Sequence, residues 1–125
     1  MTYYNYKMME RATIEEKITF AKDGQFLDEL KNDESWVVRE MVAEQCYALD
    51  ELKNDESEYV RAAVAFQGYA LDEFKNDEST LVRVTVANQG YSSDELKNDE
   101  SEYVRAAVEK QGYSIEELER ESYLF

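Results

Sequence analysis

Histidine and proline are absent from the 125 residues, cysteine occurs once and glycine four times. Without histidine, imidazole acid–base catalysis, Ser-His-Asp and Cys-His triads and histidine-ligated metals are excluded. Cys46, the lone cysteine, closes no internal disulfide and builds no thiolate zinc site. No apolar run approaches the roughly 18 residues of a membrane span, and no basic segment leads into a short apolar one. A soluble cytoplasmic protein of a bacterial or phage-infected cell is the expectation. Positive charge is scarce as well: 14 Lys and Arg face 29 Asp and Glu, a net charge of −15. That balance excludes direct binding of nucleic acid or of an anionic membrane, both of which need a basic surface.

What is present is enough for a folded domain. Hydrophobic residues make up 43% of the chain and aromatics 13%, so the acidity does not signal disorder. The length suits one domain or one short repeat array.

Self-comparison shows the organisation. LDELKNDES starts at Leu27 and again at Leu49, LDEFKNDES at Leu71 and SDELKNDES at Ser93, a period of 22 residues. Gly68, Gly90 and Gly112 keep that register, with Cys46 in the equivalent slot one repeat earlier. One period before, Lys17 falls at the position of Arg39 and Gly24 at the glycine position, so a degenerate first unit begins near Thr13. The chain therefore divides into an N-terminal cap over 1–26, repeats over 27–48, 49–70, 71–92 and 93–114, and a C-terminal cap over 115–125. Fixed periods of this size mark solenoids, because a single unit cannot bury its own apolar face and must stack on its neighbours.

Within a unit, SEYVRAAVAFQG predicts a helix of about ten residues with Ser57 as N-cap. Two apolar sets lie at helical spacing, Tyr59/Ala63/Phe66 and Val60/Ala63/Val64. Gly68 supplies the left-handed residue after it, and a contact of Val64 with Tyr69 would close a Schellman motif. The same pairing recurs as Val42/Tyr47, Val86/Tyr91 and Val108/Tyr113. A second helix of about six residues follows from Leu71, with Leu71 and Phe74 facing inward. Ser92 with Glu95 and Ser114 with Glu117 have capping-box spacing, whereas Ala48 and Ala70 leave their starts weaker by about 1 kcal/mol. The fold class is all-α: a right-handed α-solenoid of about five 22-residue two-helix repeats, one longer helix and one short α or 3-10 helix in each.

The pattern NDESxYVRxxVAxQGYxLDEL, covering about Thr13 to Ser122, resembles the HEAT-like and leucine-rich-repeat-variant class of α-solenoids. The resemblance implies an inter-repeat ladder of Asp33, Asp55, Asp77 and Asp99 with Arg39, Arg61, Arg83 and Arg105. Variant-repeat proteins also carry cysteine clusters for iron and sulfur, a feature that Cys46 alone does not carry over. No cofactor is expected.

The remaining acids define the candidate partner-binding surface: Asp28, Glu29 and Glu34; Asp50, Glu51 and Glu56; Asp72, Glu73 and Glu78; Asp94, Glu95 and Glu100. At about 8 to 10 Å per stacked helix, five units span some 45 Å and carry about one net negative charge per 3 Å, against one per 3.4 Å along a DNA strand. Such a face either engages a basic protein or simply keeps the chain soluble. Carboxylate pairs recur by construction, and none is singled out as a glycosidase-type acid and base; KNDES also lacks the ligand pattern of an EF-hand loop. Trp36 and Phe66 stand at positions that vary between repeats, which suits either an interface anchor or packing against an end cap. The aromatic-rich MTYYNYKMM and SYLF segments are end caps or docking tails. Cys46 in a glycine slot implies backbone strain.

Two functional expectations follow. In the first, a non-enzymatic acidic protein blocks the basic, nucleic-acid-binding surface of a partner protein; small size, acidity and repetition give it the general character of phage-encoded antagonists such as anti-CRISPR proteins and other DNA mimics. In the second, a passive adaptor holds a peptide or protein on its concave face and the acidity serves solubility alone.

Overall fold

The structure, a computed structural model, describes residues 2–112 and the side chains of 6–110. Helices joined by short turns make up these residues, with no strand among them. The chain divides into two compact units, one ending at Tyr69 and the other beginning at Ala70; the division falls within one residue of a repeat boundary.

The first unit holds α1 (Thr2–Glu10), α2 (Ile14–Lys22), α3 (Leu27–Leu30), α4 (Trp36–Glu44), α5 (Leu49–Leu52) and α6 (Glu58–Phe66). The longer helices form a row, α2 against α4 and α4 against α6, with the four-residue helices α3 and α5 packed between them. The second unit repeats the pattern with α7 (Leu71–Phe74), α8 (Thr80–Asn88), α9 (Ser93–Leu96) and α10 (Glu102–Gly112), where α8 packs on α10.

Of the two apolar sets on each longer helix, the valines form the core; Ala63, expected with them, is only half-buried, and Ala65 is the buried alanine of α6. Val60, Val64 and Ala65 are fully buried, as are Val38, Val42 and Ala43 in α4 and Val82, Val86 and Ala87 in α8. Each short helix adds one buried side chain, Leu30, Leu52, Phe74 or Leu96. Full burial of side chains of this size stabilises by about 1.5 to 3 kcal/mol apiece, and because the buried positions recur every 22 residues the core is one continuous strip within each unit. Tyr59 and Phe66, the other spaced set, stay exposed.

The helix starts differ in part from expectation. Ser57 caps α6 through its hydroxyl, which accepts from the Tyr59 N–H at 3.2 Å. Thr13 and Glu16 form a full capping box on α2, and those hydrogen bonds, from the Thr13 backbone first, hold the Glu16 carboxyl below its usual range. No box forms between Ser92 and Glu95. Ser92 adopts a left-handed conformation, φ +56°, and its hydroxyl makes no capping hydrogen bond, while the Glu95 carboxylate is engaged by Lys75 instead. Phe26, Ala48 and Ala70 share the left-handed geometry, so these alanine starts are not weaker than the serine one. The Ser114/Glu117 pair and the Val108/Tyr113 pair lie outside the described residues.

The turns before the short helices pass through two left-handed residues with one residue between them. Cys46 takes φ +59° where Gly24, Gly68 and Gly90 take +74°, +80° and +73°. Its N–H reaches the Ala43 carbonyl at 2.9 Å and the Tyr47 N–H reaches that of Val42 at 3.4 Å, the paired bonds of a Schellman closure.

Candidate functional site

The LDELKNDES segments place their acids in three registers with different fates. The aspartate two residues before each serine turns back on the chain: Asp33, Asp55, Asp77 and Asp99 accept the N–H of Ser35, Ser57, Ser79 and Ser101 at 2.8–3.0 Å. Six residues on, an arginine reaches back to the same turn. Arg39, Arg61, Arg83 and Arg105 donate through Nη1 to the carbonyls of Asp33, Asp55, Asp77 and Asp99 at 2.6–2.8 Å.

The arginine also spans to the next repeat. Arg39 grips the Asp55 carboxylate with Nε at 2.8 Å and Nη2 at 3.1 Å. Arg83 does the same to Asp99 at 2.9 and 3.2 Å. At the head of the first unit, the Lys17 ammonium takes the guanidinium's place against Asp33 at 2.7 Å. At Arg39 and Arg83 the rung is a two-sided clamp: the guanidinium ties one repeat's turn, through its carbonyl, to the next repeat's turn, through its carboxylate. The hydrogen bond to Asp55 raises the Arg39 pKa above its ordinary value against the opposing effect of burial. Burial by itself pushes the Asp99 carboxyl up, but the Arg83 guanidinium and the Ser101 N–H outweigh it and hold the group below the usual carboxylate range.

A second register lies on the short helices. Asp28, Asp50 and Asp72 sit 3.2–3.5 Å from Lys31, Lys53 and Lys75, one turn on. Each also accepts a phenolic hydroxyl from the following turn, from Tyr47, Tyr69 and Tyr91 at 3.1–3.5 Å. Lys31 reaches Glu51 at 2.8 Å and Lys75 reaches Glu95 at 2.9 Å; these hydrogen bonds raise both lysine pKa values. The bond to Asp28 raises that of Tyr47. Glu73 is exposed beside them. The lysines were not singled out from sequence, and the tyrosines only as apolar closures of the helix ends, although both recur at the 22-residue period.

The third register faces solvent. Glu56 is 92% and Glu100 91% exposed, each 3.9 Å from the arginine of a neighbouring rung. Glu34 and Glu78 are exposed at the equivalent positions, and Glu29 and Asp94 on the short helices are exposed too. Among the described residues, Glu29, Glu34 and Asp94 form no ion pair. In the first unit, Glu34 and Glu56 rim an open groove of about 560 Å³ whose floor is Arg39 and Asp55. In the second, Glu78 and Glu100 rim one of about 510 Å³ over Arg83 and Asp99.

No family model matches the chain, and no curated protein or solved structure is significantly similar to it.

The aromatic candidates separate. Trp36 stacks on Tyr59, ring centroids 4.7 Å apart and planes 24° from parallel, so its neighbour is the next repeat and not an end cap. Phe66 lies at the other end of α6 and is 73% exposed. The Cys46 thiol donates to Gln67 Oε1 at 3.1 Å. Among the described residues no three His, Cys, Asp or Glu side chains converge to hold a metal, and no helix is long and apolar enough to cross a membrane.

Proposed function

We propose that the chain is a right-handed α-solenoid of the HEAT-like, leucine-rich-repeat-variant type that acts without catalysis or cofactor, by laying its acidic surface over the basic, nucleic-acid-binding surface of a partner protein. The observation that carries the reading is the split within each Asp-Glu pair. Asp55 and Asp99 are neutralised in the ladder, whereas the carboxylates of Glu56 and Glu100, one residue later, project into water and touch the Arg39 and Arg83 guanidinium groups only at 3.9 Å. Charges needed only to hold the fold would be paired; these glutamates recur every 22 residues on the rims of the grooves without adding to the core. Exposed carboxylates in such rows steer and orient a basic partner and suppress wrong ones. This is the behaviour of a DNA-mimicking antagonist, the class to which anti-CRISPR and other phage anti-defence inhibitors belong.

The test is a charge reversal confined to the rim. Changing Glu34, Glu56, Glu78 and Glu100 to Lys leaves every ladder aspartate in place and should abolish capture of the partner. Raising salt from about 0.05 to 0.5 M should release the wild type, and DNA should compete with it for the captured protein. Capture that survives both the reversal and the salt refutes the reading in favour of an adaptor whose acidity serves solubility.

A further inference from the structure

An exposed aromatic pair stands in the first unit where the repeat does not require one. Trp36 opens α4 and Tyr59 stands second on α6; their rings stack, yet they remain 40% and 48% exposed. The next two pairs of equivalent positions hold Glu58 with Leu81 and Thr80 with Tyr103, so the scaffold folds without this stack. On α4, Glu40 and Glu44 follow Trp36 at intervals of four, which places all three along one helix face. Glu40 is half-buried: desolvation pushes its carboxyl above the ordinary range and the Glu44 charge pushes it further. Neither glutamate meets a cation among the described residues. Phe66 follows Tyr59 by seven residues, about 10 Å along the same face of α6.

We propose that this strip receives an arginine side chain from a basic segment of the partner protein, its guanidinium lying against the Trp36–Tyr59 pair and its charge meeting Glu40. The proposal rests on the acidic-surface reading above and names a contact within it. Charge complementarity selects a cation. The aromatic faces and the partly desolvated carboxylate select guanidinium over ammonium, since guanidinium is planar, stacks on rings and is the more weakly hydrated ion. Phe66 selects a polypeptide over a free amino acid, because it offers a second apolar contact farther along the strip than one side chain spans.

Trp36 is the only tryptophan, so its fluorescence reports on the strip directly. The full chain is titrated with hexa-arginine and with hexa-lysine at low salt, following Trp36 emission alongside the anisotropy of a labelled peptide. Hexa-arginine should alter the emission and bind more tightly than hexa-lysine. Tyr59→Ala and Glu40→Gln, checked for unchanged helical circular dichroism, should each weaken hexa-arginine about two- to fivefold and erode its advantage. Changing Glu34, Glu56, Glu78 and Glu100 to Gln should weaken both peptides and leave that advantage intact. If hexa-arginine binds by anisotropy with Trp36 emission and the Tyr59 and Glu40 variants unmoved, the strip is not the contact and this inference falls while the acidic-surface reading stands. If neither peptide binds, both fall. A dimer in sedimentation that disperses on Tyr59→Ala makes the strip a self-interface and likewise overturns the proposal.

Discussion

Replacing Arg39 tests whether the ladder holds the repeats together. Its guanidinium makes two hydrogen bonds to Asp55 and one, at 2.6 Å, to the Asp33 carbonyl. The paired side chains are only 10% and 9% exposed, so this is not a surface ion pair of the kind that contributes little. Arg39→Met leaves the Asp55 carboxylate with the Ser57 N–H and whatever water the open groove admits. Stranding a buried charge costs about 3 to 5 kcal/mol, and access from the groove places the expected loss near 3. Arg39→Lys copies the rung already present at Lys17, which reaches Asp33 with a single bond; it keeps the charge but forfeits the fork and should cost about 1.5 kcal/mol. Urea unfolding followed by circular dichroism reads both losses as shifts in midpoint at constant slope. In the cycle with Asp55→Asn, the coupling should be about 2 kcal/mol. An Arg39→Met variant within about 1 kcal/mol of the wild type, or a coupling near zero, would show that the rung behaves as a surface pair and that valine packing alone joins the repeats.

Cys46→Gly should raise stability by about 0.5 to 1 kcal/mol, because relief of the positive φ outweighs the added freedom of the unfolded chain. Gly90→Ala should lower it by about 1 kcal/mol through backbone strain alone, since a methyl group there meets nothing within 4 Å; thermal melts of the two variants moving in the same direction would contradict the turn geometry. Glu40 has a folded pKa raised above its ordinary 4.5, so the wild type loses stability as pH rises through 4.5 to the folded value and does not regain it. Glu40→Gln removes that loss: the variant should melt above the wild type at neutral pH and converge with it below about pH 4, and an equal gain at both pH values would assign the effect to packing.

The helical repeat and its register were readable because the buried positions recur with the period: Val38, Val60, Val82 and Val104 are each fully buried. Choosing between the two spaced sets on α6 was not, because Tyr59 and Phe66 are as apolar by type as Val60 and Val64, and only the neighbouring helix decides which face is covered. Ser92 shows a different limit. Its spacing to Glu95 suits a capping box, but the tight turn places it in the left-handed region, and Lys75, 20 residues earlier in the chain, takes the carboxylate. The acids divided for the same kind of reason. Asp50 and Glu51 look alike in sequence, yet Asp50 is held by Lys53 in its own turn and by the Tyr69 hydroxyl while Glu51 is held by Lys31; the Tyr69 and Lys31 contacts exist only once neighbouring turns are stacked.

That division makes salt a discriminating variable. Mobile ions screen exposed charges within about 10 Å at 0.1 M and affect buried pairs much less. Asp55 is 9% exposed and the adjacent Glu56 92%, so a concentration that silences the glutamate rim leaves the rungs beneath it closed. Asp99, closed in its rung, is held below the ordinary carboxylate range by Arg83 and Ser101. If the rim carries function and the ladder carries the fold, moderate salt should release a basic partner while the helical signal stays constant. Loss of binding and of helicity together, at one salt concentration, would mean that the two sets of carboxylates are not independent, and that the acidity of this chain serves its fold before anything it binds.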